Sequence, residues 1–296
     1  MMKMIGFILG LAVLVSCGSS DPDTPAPPEY LPGRALKVMT YNIVQTFHNS
    51  GETDPHNWNK GRKERVVRLL ETYPCDLLCM QEDDKKQGED VCEALGLTRA
   101  GVSRSDGTVN GGGEFCALYY DPEVFFVRRT GHFYFSETPM VPSMSWDATY
   151  TTMCNWFCLK DKKSNADIYL FNTHLFYGGT GETRMKSVAM LEKYIASIAG
   201  GNPVILTGDM NATPENEAIA AIRGFLSDAW DKASLRKGPA GSFNGFNPNY
   251  DLDKYKFDYI FVNNRFEVGS HTIIPDKVDG YFPSDHLPVL CEMTLK

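Results

Sequence analysis

The stretch Pro203-Val-Ile-Leu-Thr-Gly-Asp209-Met-Asn211-Ala-Thr-Pro214 is an apolar run that stops in a glycine, a carboxylate and a carboxamide. A continuous apolar run closed by turn residues has the pattern of a buried strand. If extended geometry persists through Met210, Asp209 and Asn211 point to the same side, where they can hold and deprotonate a water. The same stretch also reads as a Gly-Asp turn leading into a helix capped by Thr213, with Pro214 at its first position. Other strand ends weigh between the two. Lys37-Val-Met-Thr-Tyr-Asn42 closes on Asn42, Asp76-Leu-Leu-Cys-Met-Gln-Glu82 on Glu82, and Tyr169-Leu-Phe-Asn172-Thr-His174 on His174. Asp258 opens an apolar run after Phe257, and Asp285-His286 precede Leu287-Pro-Val. Taken singly, Asn42 is a turn, Glu82 the solvated start of Asp83-Asp84-Lys85-Lys86, and His174 a satisfied core histidine. So many polar residues at the boundaries of separate apolar runs point to one shared site.

The residue types form a chemical set. Carboxylate and carboxamide oxygens suit a hard cation, Mg²⁺ or Mn²⁺, while two histidines without thiolate partners suit proton transfer and oxyanion contact. No Gly-x-Ser-x-Gly elbow or activated cysteine is evident, so water is the expected nucleophile. Metal, base and histidine together describe hydrolysis of a phosphate ester.

These side chains need strands to carry them. Apolar runs predict strands over 35–43, 76–81, 115–120, 124–127, 152–159, 168–175, 204–207, 257–262, 266–274 and 289–295. Helical spacing appears over 59–73, with Val66, Val67, Leu69, Leu70 and Tyr73 on one side, and over 183–198, with Met185, Val188, Leu191, Ile195 and Ile198. A third helix is expected from Pro214 to about Arg223. Many strands with few helices call for two packed sheets covered by helices, since each sheet has two faces to bury. Between these elements, residues 46–62 carry His48, Asp54, His56 and Trp58 and read mainly as a solvated loop. Residues 103–114, with Gly107 and Gly111 to Gly113, read as a mobile flap or hairpin tip. Phe243, Phe246, Tyr250 and Tyr255 could wall a sugar or head group, or simply pack a long loop.

The ordered blocks Met39-Thr-Tyr-Asn42, Met80-Gln-Glu82, Asn172-Thr-His174, Gly208-Asp-Met-Asn211, Asp258-Tyr-Ile-Phe and Ser284-Asp-His286 resemble the endonuclease/exonuclease/phosphatase superfamily. Phe135-Ser-Glu-Thr-Pro139 and Ser145-Trp-Asp-Ala148 further resemble its small bacterial metal-dependent hydrolase branch. The resemblance implies a four-layer α/β/β/α sandwich, with two mainly antiparallel sheets flanked by helices and the site at one edge of both sheets. It implies Glu82 as the principal ligand for Mg²⁺ or Mn²⁺, Asn42 supporting the metal through its water shell, and Asp285 beside it. Asp209 would orient or deprotonate the attacking water, Asn211 would hold the phosphate or that water, and His174 would contact phosphoryl oxygens. His286, oriented by Asp258, would stabilise charge at phosphorus. The branch also leads one to expect an arginine near Thr152, and an arginine-isoleucine pair where this chain has Lys256-Phe257. Both departures bear on substrate contacts.

The first residues look like a targeting segment. Lys3 precedes an apolar run to Val15, too short to span a bilayer, and Leu14-Val-Ser-Cys17 resembles a bacterial lipobox. The expected division is a lipoprotein signal peptide over 1–16, a lipid-anchored proline-rich tether over 17–34, and a catalytic domain over 35–296. Membrane attachment through lipid on Cys17 would place a monomer in the cell envelope of a bacterium, at the periplasmic or outer-membrane face. The formal charge of −8 argues against non-specific nucleic-acid binding. A small molecule or lipid head group is therefore the favoured phosphate-ester substrate over nucleic acid. A secreted nuclease and a non-catalytic lipid-anchored binding protein on the same scaffold are the alternatives. Beyond Cys17 stand Cys75, Cys79, Cys92, Cys116, Cys154, Cys158 and Cys291, mostly in apolar runs where cysteine acts as a small hydrophobe rather than a zinc ligand.

Overall fold

A computed structural model describes residues 30–46, 48 and 51–296. The expected signal peptide, Cys17 and most of the tether lie outside the described residues.

Two sheets form the centre of the molecule. One runs, edge to edge, β10 (Leu235–Lys237), β12 (Phe266–Ile273), β13 (Val289–Leu295), β1 (Ala35–Asn42), β2 (Leu77–Gln81), β4 (Leu118–Tyr120) and β3 (Thr98–Ala100). The other runs β5 (Phe125–Tyr134), β6 (Met153–Asp161), β7 (Asp167–His174), β8 (Val204–Asp209), β11 (Asp258–Val262) and β9 (Ser227–Asp228). Most neighbours are antiparallel; β1 beside β2, β10 beside β12 and β7 beside β8 are parallel. Strand alternation divides the core into layers. Leu36 and Val38 of β1 and Leu77 and Cys79 of β2 meet Leu170, Ile205 and Ile260 between the sheets. Met39, Tyr41, Leu78 and Met80 face outward, onto Val66, Leu69 and Leu70 of α1 (Arg62–Thr72) and Val91 of α2 (Lys85–Leu95). On the far side, Val188, Leu191 and Ile195 of α3 (Glu182–Ala199) cover Phe171 and Leu206, beside Ile219 and Ile222 of α4 (Glu217–Arg223). Each such aliphatic side chain contributes about 1.5–3 kcal/mol by leaving water. This is the expected four-layer sandwich.

Local detail departs from expectation in places. In the run 83–86 only Lys85 and Lys86 are exposed: Asp84 opens α2 with a reciprocal capping box, its carboxylate accepting from Gln87 N and Gln87 Oε1 accepting from Asp84 N. Asp83 is buried on Arg99, at 2.7 Å, and on the Tyr119 hydroxyl. Helix α4 starts at Glu217, because Asn216 rather than Thr213 caps it by accepting from Ala218 N. The loop before α1 is mostly exposed or half-buried, as expected, but it is anchored: Trp58 is fully enclosed, and Arg62 at the start of α1 holds the carbonyls of Ile43, Val44 and Gln45. At the N-terminal side, Tyr30 packs on the inter-sheet core and Leu31 and Gly33 donate to Ser164 O and Leu295 O, so contact with the sheets begins before Ala35.

Candidate functional site

Strand register gathers the polar ends. His174 and Asp258 both pair with Asp209, from the two strands flanking β8. A Cβ on Gly208 would stand 2.1 Å from Thr173 O, so only glycine lets β8 approach β7 just before Asp209. In the facing sheet, Asn42 ends β1 on the same face as Leu36 and Val38, and Glu82 follows β2 with a left-handed φ of 60°. Asn42 joins the sheets, its Nδ2 donating to Glu82 Oε1 at 2.9 Å and to Asp209 Oδ2 at 3.1 Å, while its Oδ1 accepts from Val44 N. Asn42 thus acts through the carboxylates that it holds.

One residue deeper lies a buried polar layer that sequence reasoning did not single out. Asn172 Oδ1 accepts from Gln81 Nε2 at 2.7 Å and from Thr207 Oγ1 at 3.1 Å, and its Nδ2 donates to the carbonyls of Met80 and Ala117. All four positions of this carboxamide are satisfied, tying the two sheets beneath the site.

Asn211 reaches the site differently from expectation. The strand ends at Asp209, and Asn211 turns back with a φ of 47°, its N–H donating to Asp209 Oδ1 at 2.8 Å. Its Nδ2 donates to Leu175 O and lies 2.9 Å from His174 Nε2. A carboxamide nitrogen only donates, so Nε2 accepts and the ring carries its proton on Nδ1. With both amide hydrogens engaged, Asn211 orients His174, and only its Oδ1 remains to meet a water. Burial lowers the His174 pKa to about 4 against the pull of Asp209, leaving the ring neutral. Its Nδ1 has no hydrogen-bond partner among the described residues and sits 4.0 Å from Glu82.

His286 is the opposite case. Burial disfavours its charge, but Asp258 and Asp209 outweigh burial and raise its pKa well above the ordinary value. Its Nδ1 lies 2.8 Å from Asp258 Oδ2, and its Nε2 lies 3.6 Å from Asp209 Oδ2, the oxygen that is also 3.5 Å from His174 Nε2. Asp258 Oδ2 accepts in addition from Ser242 Oγ at 2.6 Å. Phe243 stands edge-on to the His286 ring, Tyr250 packs on Phe243, Tyr255 stacks on Phe257, and Phe246 meets His56. Most of this aromatic group backs the histidine.

A cleft of about 280 Å³ opens above these residues, lined by Glu82, His174, Asp209, Asn211, Asp285 and His286 together with Gln45, Arg104, Glu114, Tyr150 and Tyr177. The loop residues among the latter carried no periodic signal in the sequence. Arg104 arrives from the 103–114 segment, whose backbone closes on itself through Ser103 N to Thr108 O and Arg104 N to Glu114 O. The arginine expected near Thr152 is absent; Thr151 Oγ1 instead donates to the Arg104 carbonyl. Lys256 is buried on Asp228 at 3.4 Å. A larger groove between α1 and α2, lined by Val67, Arg68, Asp90 and Glu93, lies on the outer layer away from the strand ends.

Burial raises the pKa of Asp285, and Glu82 adds to the rise. Burial likewise raises Glu114 to about 7, with Glu82 and Asp83 contributing. Crowded oxygen donors whose charges oppose one another fit a hard divalent cation. Asp209, Asp258 and His286 also converge, with ligand atoms within 4.8 Å of one another. Since Asp258 Oδ2 already serves Ser242 and His286, this trio is better suited to moving a proton, and Glu82 with Asp285 to holding a metal.

The Endonuclease/Exonuclease/phosphatase family profile matches residues 48–286. Among solved structures, a mannosyl-6-phosphatase of Bacteroides thetaiotaomicron is 30% identical, with a TM-score of 0.80 over 87% of this chain and 99% of that one. An endonuclease/exonuclease/phosphatase protein of Bacteroides vulgatus is 30% identical, with a TM-score of 0.82 over 89% of this chain and 100% of that one. The human Nocturnin catalytic domain with bound sulfate shares the fold at 20% identity, with a TM-score of 0.68 over 90% of this chain and 97% of that one. No match is found among curated proteins.

Proposed function

Because the chain belongs to the endonuclease/exonuclease/phosphatase family of phosphoester hydrolases, we propose that it is a divalent-metal-dependent phosphoesterase acting on a small phosphorylated molecule. The observation that carries this reading is the arrangement around Asp209: one carboxylate oxygen lies between a neutral imidazole and a charged one.

In this reading Asp209 accepts the proton of the attacking water, steadied by the Asn211 N–H on its other oxygen. His174, held by Asn211, is a neutral ring whose Nδ1 proton is turned towards Glu82, beside the position of the phosphoryl group. His286, held by Asp258, offers an imidazolium Nε2–H to charge that grows in the transition state. Glu82 and Asp285 would hold Mg²⁺ or Mn²⁺, which when bound would offset charge on the phosphoryl group. Asn42 fixes Glu82 and Asp209 relative to each other across the two sheets.

Two observations favour a small substrate. The cleft is near the lower end of the range for small-molecule sites, about 300–1,000 Å³, and Glu82, Glu114, Asp209 and Asp285 make its wall acidic. A polyanionic duplex meets no basic track there. The likeness to a mannosyl-6-phosphatase supports a phosphorylated sugar. Phosphate release from mannose 6-phosphate, p-nitrophenyl phosphate, bis(p-nitrophenyl) phosphate and plasmid DNA, with Mg²⁺ or Mn²⁺ and with chelator, tests the reading. Metal-dependent turnover of a small ester supports it; turnover of DNA alone, of nothing, or undiminished by chelator contradicts it.

A further inference from the structure

Among the described residues lining the cleft, Arg104 is the one arginine or lysine, and it faces Glu82, Glu114, Asp209 and Asp285. The fold holds it from several sides. Its Nη1 and Nη2 lie 2.6 and 2.7 Å from the two oxygens of Glu114. Glu114 Oε1 also accepts from Gln45 Nε2 at 2.8 Å, which links the guanidinium to the loop following β1. The Arg104 carbonyl accepts from Thr151, and the guanidinium carbon stands 5.0 Å from the Tyr150 ring centroid. Glu114 occupies only part of the five-donor fork, leaving the remaining N–H groups for a ligand in the cleft.

A guanidinium fixed in this way has a natural match. The terminal phosphate of a monoester carries a second negative charge and one more non-bridging oxygen than a diester, and a planar fork pairs with two such oxygens at once. We propose that Arg104, positioned by Glu114, Gln45, Thr151 and Tyr150, binds the non-bridging oxygens of the substrate phosphate and selects monoesters over diesters. The proposal rests on the phosphoesterase reading and narrows it to the dianionic end of that class. Arg104 is a binding residue here, while the proton-handling groups remain Asp209 and the histidines.

The test compares wild type, Arg104→Lys and the double variant Arg104→Met/Glu114→Gln, all supplied with Mn²⁺. The double change avoids leaving Glu114 buried without its partner, which would harm folding by itself. Two readouts are taken: calorimetric affinity for inorganic phosphate, and kcat/KM on p-nitrophenyl phosphate and on its methyl diester. In the double variant, phosphate affinity and monoester kcat/KM should both fall by about 10- to 100-fold, as expected for hydrogen bonds to a charged group. The diester should be little changed, and Arg104→Lys should recover part of the loss. Unchanged phosphate affinity, or equal losses on both esters, overturns the proposal. A wild type that hydrolyses neither ester yet loses phosphate affinity with Arg104 would sustain the anion site and count against the phosphoesterase reading instead.

Discussion

Nδ1 of His286 lies 2.8 Å from Oδ2 of Asp258. The carboxylate is fully buried, and the hydroxyl of Ser242 fixes the same oxygen from a second side, so the imidazole is held in one orientation. Asp258→Asn should therefore lower turnover by about 100-fold or more while His286 remains in place. It should also lower the His286 pKa, a change that NMR titration would detect, because Asp258 is the group that chiefly raises it. Adding His286→Ala to Asp258→Asn should cost little beyond His286→Ala alone, since residues acting as one unit are not additive. Full additivity in kcat would sever the link.

The second prediction concerns the cation. Glu82→Gln keeps the shape and the oxygen that Asn42 contacts but removes a ligand charge, so Mn²⁺ affinity should fall at least about tenfold. The thermal midpoint should stay close to that of wild type, and chelator should abolish turnover without unfolding the protein. Equal Mn²⁺ affinity in the two proteins by calorimetry would remove Glu82 from the site.

The third concerns acid stability and a histidine far from the chemistry. His271 is buried against Trp230, with neither ring nitrogen partnered among the described residues. Burial, helped by Lys256 and Arg236, lowers its pKa to about 3. The folded pKa is below the unfolded value, so the unfolded chain takes up a proton that the folded chain refuses, and stability is lost as pH falls from about 6.5 towards 3. His271→Leu should remove that loss. Relative to its difference from wild type at pH 7, it should gain about 2–3 kcal/mol at pH 4.5 in urea unfolding. A pH-independent difference would show that His271 does not titrate in this way.

The long strands and the helices α1 and α3 were legible because their periodicity is carried by their own residues. Asn42, Glu82, His174, Asp209, Asp258 and His286 were legible as interruptions of apolar runs, and register brings them to one end of the sandwich. Helix α2 was hidden because its charged start hides the capping box between Asp84 and Gln87. Arg104 and Glu114 were hidden for another reason: they sit in a loop, where no period says which side chains turn inward. Asn172 lay within a noted motif, yet its bonds to Gln81, Thr207, Met80 and Ala117 come from tertiary pairing of two sheets. Asn211 was legible as a polar residue just past the strand end, but whether strand or turn delivers it was not, and a left-handed turn does so.

Asp209 is the proposed proton acceptor, and the most direct measurement of its role is kcat for Asp209→Asn against wild type, in saturating Mn²⁺, on whichever small phosphate ester the wild type hydrolyses best. The substitution keeps shape and removes the proton acceptor between the two imidazoles. A fall in kcat of about 100- to 10,000-fold with substrate binding retained is the predicted result. Turnover equal to wild type would contradict the mechanism.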